Sequence, residues 1–386
     1  MTTRRHVLEW LAAAPVLSAC SGGGADLPDP AAAWRDPGAA EADVRRFALA
    51  HAILAPNPHN TQPWLVDLDD GDAITLYCDL DRRLPFTDPL DRQITIGCGC
   101  FLELYRMAAG MGGYWPTIEF FPEGEPTPRL DTRPIARVTL GPQQQQPNGY
   151  PTSAQITRRR TNRKPFEARV PDATMLDELV NAVVGMGEEY TGAMFWTNEA
   201  ARVAQARDLV WRAWDRELRT EGAAAETYEW LRFGREEIAR HLDGLSIDAP
   251  GIGIFRILGQ LDREELIDPN SEANKTAARD WRELAMTSPA FVWLTSNGDT
   301  PGARLNAGRA YARFALAASD AGLAIHPWSQ ALQEYQEMAD LYAEMRTFLA
   351  PPEGDTVQML VRIGYGQDVP PSPRRGVDAI LRPPSP

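Results

Sequence analysis

The chain has 386 residues, 44% of them hydrophobic and 24% charged, a composition that supports one large or two modest cores and excludes a disordered chain. With 39 basic against 53 acidic residues the formal charge is −14, so the whole-molecule field repels nucleic acid and anionic lipid surfaces, and any anion must be held by a local basic cluster. The five histidines (His6, His51, His59, His241, His326) form no short-spaced set with the cysteines, which argues against a metal site. Neither a G-x-S-x-G elbow nor a G-x-x-x-x-G-K-[ST] loop occurs, and Gly251-Ile252-Gly253 lacks the third glycine of a dinucleotide fingerprint.

At the N-terminus, Thr3-Arg4-Arg5-His6-Val7-Leu8 leads through a short apolar run to Leu17-Ser18-Ala19-Cys20, a lipobox. This resembles a bacterial twin-arginine lipoprotein signal with Cys20 as its lipidation candidate; a plain N-terminal tail is the alternative. The run over 10–19 is too short to span a bilayer, as suits a cleaved signal. Expected units are a signal over 1–20, a flexible tether over 21–40, a first half over 41–142 and a second half over 150–386 with a helical lid at about 198–268. Cys98 and Cys100 read as small buried apolar residues, since a disulfide within Cys98-Gly99-Cys100 would be strained.

Val44, Phe47, Ala48, His51 and Leu54 recur at helical spacing, and the helix stops at Pro56. The loop Ala55-Pro56-Asn57-Pro58-His59-Asn60-Thr61-Gln62-Pro63-Trp64 follows. Its prolines bias Asn57 and Gln62 toward extended geometry, which leaves the backbone N–H groups of Asn57, His59 and Asn60 for a polar partner. A helix stop with a turn is the simpler alternative. Strands are predicted over 64–68 and 73–77 around the turn Asp69-Asp70-Gly71-Asp72, then a small-residue helix over 94–111, strands over 117–121 and 136–140, and a linker over 143–146. The second half opens with a helix ending in Arg158-Arg159-Arg160-Thr161-Asn162-Arg163-Lys164. Further helices are predicted over 173–184, 200–219, 223–242, 271–286 and 305–321, with strands over 194–197, 291–295 and 358–363. The helix over 305–321 ends in Asp320-Ala321-Gly322-Leu323, much as the earlier one ends in Ala108-Ala109-Gly110-Met111. Helices with Ala and Gly on one face approach closely, so the pattern predicts two α+β halves packed helix against helix.

Five of the seven residues over 158–164 are basic, in an otherwise acidic chain. Guanidinium forks match phosphate oxygens, and Thr161 adds a hydroxyl; a solvated basic turn is the alternative. A second basic element, Pro371-Ser372-Pro373-Arg374-Arg375, follows the strand-like Leu360-Val361-Arg362-Ile363-Gly364-Tyr365.

Together these pieces resemble the nitroreductase-like family of FMN-binding proteins, in particular its Acg-like branch. Residues 56–64 match the family's P-S-x-x-N-x-Q-P-W loop with Asn57 and Pro58 as departures, Arg159-Arg160-Thr161-Asn162-Arg163 matches R-R-S-x-R, and Ser372-Pro373-Arg374-Arg375 matches the C-terminal basic element. The resemblance implies an α+β, nitroreductase-like fold in which two halves are fused into a pseudo-dimer. It also implies a single FMN, because the loop and the arginine element each occur once. Its binding residues would be Pro56, Asn57, Pro58, Asn60 and Gln62 of the loop, Arg159, Arg160, Thr161, Arg163, Arg374 and Arg375 at the phosphate, and His326, Trp328, Ser329 and Gln330 beside the ring. No catalytic side chain is expected, because a flavin carries the electrons itself. Trp211, Trp214, Tyr228, Trp230 and Phe233 either cover the flavin or fill a core. The expected activity is reduction of flat small-molecule acceptors, nitroaromatic or quinone in class. FMN storage without turnover and a cofactor-free, lipid-anchored interaction module are the alternatives. An exported, periplasmic or cell-envelope monomer is expected, touching membrane only through a lipid anchor and binding no nucleic acid.

Overall fold

The computed structural model describes residues 27–69, 71–142, 153–181, 183, 190–248, 252 and 261–383. Cys20, the signal-like segment and the 143–146 linker lie outside them. The first half begins with α1 (Val44–Ala52), whose N-cap Asp43 accepts the Arg45 N–H at 2.8 Å. A hairpin of β1 (Trp64–Leu68) and β2 (Ala73–Cys78) leads to α2 (Arg92–Met111), then β3 (Thr117–Phe120) and β4 (Ala136–Thr139). The strands form one antiparallel sheet in the order β1-β2-β4-β3.

The second half contains α3 (Ala173–Asn181), β5 (Met194–Thr197), α4 (Ala200–Arg219), α5 (Glu221–Glu229), β6 (Leu231–Phe233), α6 (Gly234–His241), β7 (Leu245–Ile247), α7 (Arg263–Ile267) and α8 (Glu272–Met286). It continues through β8 (Ala290–Asn297), α9 (Pro301–Asp320), β9 (Ala324–Pro327), α10 (Ala339–Leu349) and β10 (Asp355–Gly364). Its main sheet is again antiparallel, in the order β5-β8-β10-β9. With α10 and the segment between β5 and β8 set aside, each half reads strand, strand, 20-residue helix, strand, strand, in the same spatial order. The chain is α+β and internally duplicated.

The helices α2 and α9 pack together between the two sheets, and their glycines decide how closely. A Cβ on Gly99 would lie 2.1 Å from the Leu305 carbonyl oxygen, and one on Gly308 would lie 2.0 Å from that of Ile96. Any larger residue would force the backbones apart. Cys98 and Cys100 are free and buried, as expected, with the Cys100 thiol donating to the Gly308 carbonyl at 3.1 Å. Glu103 of α2 pairs with Arg309 at 2.9 Å and Arg313 at 2.7 Å of α9, a buried ionic triad that fixes the register of the pair.

Several expectations are corrected. The basic element does not end a helix: Ser153–Gln155 is a 3-10 turn, and residues 159–164 run without helix. The helix expected over 223–242 is broken into α5, β6 and α6. There the Trp230 N–H turns back to Thr227 O, Gly234 takes φ +76°, and Leu231–Phe233 pairs in parallel with Leu245–Ile247. The described part of the supposed tether is not loose, since Trp34, on the 3-10 turn Ala32–Trp34, is buried. After β10 the chain returns to the first half, where Val66 of β1 donates to Ile380 O at 2.8 Å and accepts from the Arg382 N–H at 2.9 Å. Among the described residues no helix is long and apolar enough to cross a membrane.

Candidate functional site

The loop after α1 is held in a costly backbone conformation. His59, Asn60 and Gln62 all have positive φ (48°, 54° and 53°), at roughly 1–3 kcal/mol each for residues with a Cβ. Side-chain amides offset that cost. Asn57 Oδ1 accepts the Gln62 N–H at 2.8 Å, while Asn57 Nδ2 donates to Ala55 O at 3.0 Å. Asn60 Nδ2 donates to Gly244 O and Pro373 O, both at 3.1 Å. Gln62 Nε2 donates to Leu242 O at 2.8 Å, and its Oε1 accepts the Arg375 N–H at 2.9 Å. These side chains thus bind three segments of the protein to one another. The Asn60 N–H is not left for a partner, because it closes the Pro58–Asn60 turn onto Asn57 O at 3.3 Å. Gly97 of α2 seats the loop, since a Cβ there would approach Asn57 Cβ to 3.1 Å.

The two basic elements converge on the start of this loop. Arg159 Nη2 donates to Leu54 O at 3.2 Å; Arg374 Nη2 donates to Ala55 O at 3.1 Å, and its Nη1 donates to the Asn60 side-chain oxygen. Both guanidiniums are buried, and Nε and Nη1 of Arg159 and Nε of Arg374 have no partner among the described residues. Among the described residues, Arg160 beside them donates only to the carbonyls of Thr157 and Arg159. Burial lowers the pKa of Arg159, and burial together with Arg159, Arg160 and Arg163 holds Arg374 well below the usual arginine range. Among the described residues none of these four arginines forms an ion pair with a carboxylate. Buried like charges with orphaned donors are unfavourable until an anion joins them, so the cluster is built for a multiply charged anionic group.

Arg163 keeps accessible surface, yet enclosure by protein pushes its pKa down to about 10. Its charge is felt by His59 of the loop, pushed down to about 4 by burial and then by Arg163, and by His326 of β9. Tyr311 of α9, buried with its hydroxyl unpartnered among the described residues, senses both Arg159 and Arg163. Arg163 thus stands near the loop, α9 and β9 as well as within the basic segment. Thr161 is half-buried between Arg160 and Asn162. Arg375 stands apart from the cluster: its Nη2 donates to Gln62 O at 2.6 Å, and its charged neighbours are Arg82, Asp79 and Asp243.

At the other end, Arg362 Nε donates to His326 Nδ1 at 3.1 Å. An arginine nitrogen only donates, so Nδ1 is the acceptor and His326 is the neutral, Nε2-protonated tautomer. Burial, then Arg362 and Arg163, hold its pKa well below 6.5, in agreement. Arg362 also donates to Asn162 O at 3.2 Å and Lys164 O at 2.8 Å, so one buried guanidinium ties the basic segment to β9 and β10. The Trp328 N–H anchors to Leu360 O at 2.8 Å, and its buried indole N–H is unpartnered among the described residues, as is Gln330 Oε1. Ser329 Oγ exchanges hydrogen bonds with the Leu360 backbone.

The segment between β5 and β8 is latched over the loop. His59 Nε2 meets Thr227 Oγ1 at 3.1 Å, and the Gly244 N–H donates to Asn60 O at 3.1 Å. Asp243 pairs with Arg82 at 2.8 Å and Arg232 at 2.9 Å, and Glu226 accepts the Phe86 and Thr87 N–H groups. Its aromatics divide between roles. Trp211 and Trp214 belong to a stack that runs on through Trp281 to His326 and Trp328, while Tyr228 and Phe233 pack in a small core of their own and Trp230 lies under Arg82 and Arg232.

Sequence reasoning missed Arg362, Tyr311 and Trp34. A lone arginine inside the apolar run 359–363 was a usable signal for the first, and a single tyrosine on the Ala-rich face of α9 for the second; no local signal marks Trp34.

No protein-family model matches the chain. Over 354 residues, 88% of this chain and 95% of the relative, it is 27% identical to a Mycobacterium tuberculosis protein named "Putative NAD(P)H nitroreductase acg". A second M. tuberculosis protein with the same nitroreductase designation is 26% identical over 350 residues, 88% of this chain and 92% of that one. Among solved structures, the FMN-dependent nitroreductase NfnB from Mycobacterium smegmatis in complex with NADPH aligns with 59% of this chain and 95% of its own, at 17% identity and a TM-score of 0.36. A nitroreductase with bound FMN from Bacteroides fragilis aligns with 55% and 87%, at 15% identity and a TM-score of 0.31.

Proposed function

We propose that this chain is an FMN-binding oxidoreductase of nitroreductase type that passes electrons to flat small-molecule acceptors of the nitroaromatic or quinone class. The observation that carries the reading is the unneutralised arginine cluster, whose orphaned Arg159 and Arg374 nitrogens suit the dianionic phosphate of FMN. Arg159, Arg160, Arg163 and Arg374 would hold the phosphate, with residues 56–62 as one wall. His326, Trp328, Ser329 and Gln330 would lie toward the ring, where the indole N–H of Trp328 and the amide oxygen of Gln330 are buried polar atoms without partners. When bound, the flavin supplies the redox chemistry; the protein orients it, excludes water and sets its hydrogen bonds. His326, held neutral by Arg362, offers a donor that does not change protonation across the physiological range.

The duplication bears on stoichiometry. The arm after β4 carries Arg159–Arg163 and the arm after β10 carries Arg374, and both reach the same loop, so one chain builds one cluster. That geometry supports one FMN per chain and a monomer. The similarity to proteins designated NAD(P)H nitroreductases supports the reaction class and a nicotinamide donor. Export and lipidation of Cys20 are part of the same proposal, read from the N-terminal motif alone and tested by the mass of the mature N-terminus.

A second reading, storage of FMN without turnover, draws on the number of buried polar bonds that latch the lid, Asn60, Gln62 and Asp243 among them. Stopped-flow mixing of the FMN-loaded protein with NADPH decides between them. Rapid bleaching followed by reoxidation with a quinone supports the oxidoreductase; absence of reduction with any donor tried leaves storage.

A further inference from the structure

We propose that Trp34 is a positioning residue of the anion site, with an indole that holds the arginine cluster together in place of carboxylates and so sets the affinity for the phosphate end of the ligand. The phosphate as an FMN phosphate rests on the function proposed above; the anion site itself does not.

Trp34 lies more than a hundred residues before the first arginine it touches. Its ring sits 4.6 Å from the Arg160 guanidinium carbon, 5.2 Å from that of Arg374 and 5.9 Å from that of Arg159. It is buried, and its indole N–H donates to Ser372 O at 2.7 Å, two residues before Arg374. One side chain therefore touches both basic arms. The strap that carries it is fixed to α1, where Gly38 at φ +73° packs against Phe47 and Glu41 pairs with Arg46 at 2.8 Å.

Guanidiniums crowded together repel, and burial magnifies the repulsion. A carboxylate between them would relieve it but would also neutralise the field that the ligand's phosphate needs. The negative face of an indole attracts the cations without adding a formal charge. The cluster is thereby held close and kept electropositive at once.

The test compares wild type, Trp34→Ala and Trp34→Phe for binding of FMN, riboflavin and inorganic phosphate by calorimetry. Expected is a loss of about tenfold or more in FMN affinity for Trp34→Ala, riboflavin affinity within twofold of wild type, and partial recovery of FMN affinity in Trp34→Phe. Inorganic phosphate should weaken in step with FMN. Parallel loss of FMN and riboflavin overturns the proposal, since it marks general damage to the site, and so does an unchanged FMN-to-riboflavin ratio. If wild type binds neither flavin, the functional reading fails while the phosphate comparison still decides the role of Trp34: equal phosphate affinity in wild type and Trp34→Ala overturns it.

Discussion

Gly99 and Gly308 are equivalent residues. Each is the eighth of a 20-residue helix, they stand 209 positions apart, and each presses its α-carbon against the carbonyl of the fifth residue of the opposite helix, Leu305 and Ile96. A two-fold relation between the halves accounts for this reciprocity, as it does for the shared strand order.

Replacing either glycine with alanine should therefore cost about the same. Overpacking two helix backbones predicts a loss of ~2–3 kcal/mol for Gly99→Ala and for Gly308→Ala, read as a lower denaturant midpoint. A loss confined to one of the two would argue against the reciprocal contact.

Glu217 of α4 is buried with one carboxylate oxygen unpartnered among the described residues, and burial pushes its pKa up to about 7 from an ordinary 4.5. The folded state disfavours the charged form. Its stability is therefore undiminished below pH 4.5, falls as pH rises through about 7, and is flat above, with a total on the order of 3 kcal/mol. Glu217→Gln should stabilise the protein at pH 8 and leave it unchanged at pH 4.5, in thermal melts at the two pH values. Equal effects at both would show that Glu217 does not titrate in this window.

Asp243 fastens the segment between β5 and β8 through Arg82 and Arg232, beside the Gly244 N–H that donates to Asn60 O. In Asp243→Asn the lost pairs should cost about 2 kcal/mol locally, allowing for the partial exposure of Arg82. Hydrogen exchange at Gly244 and Leu245 should then quicken some thirtyfold while the α2–α9 pair stays protected. Unchanged protection at Gly244 would mean that the segment is held elsewhere.

The legible parts of this molecule were those with local causes. Alternation and the Asp-Gly turn located the β1–β2 hairpin, and small-residue periodicity located α2 and α9, whose matching endings hinted at the duplication. The break between α5 and α6 was not legible, because β6 forms only by pairing with β7 across the chain; Gly234 was the local clue. The arginines were recognised as a group, but their separation was not. Arg374 joins Arg159 at the carbonyls of Leu54 and Ala55 while Arg375 bonds Gln62, and that division depends on the path of the C-terminal arm. The loop amides were expected beside a ligand, whereas Asn60 and Gln62 tie the arm and the segment between β5 and β8 together. Such roles depend on residues 180 to 314 positions away, which no local pattern encodes.

The central claim is that one chain holds one FMN by its phosphate. Reconstitute wild type and the Arg159→Ala/Arg374→Ala double variant with excess FMN, remove free flavin, and measure flavin per chain by visible absorbance, with circular dichroism to show that both are folded. The account predicts one FMN per wild-type chain and less than a tenth of that in the folded double variant. A wild type that retains none or two, or a double variant that retains as much as wild type, would contradict it.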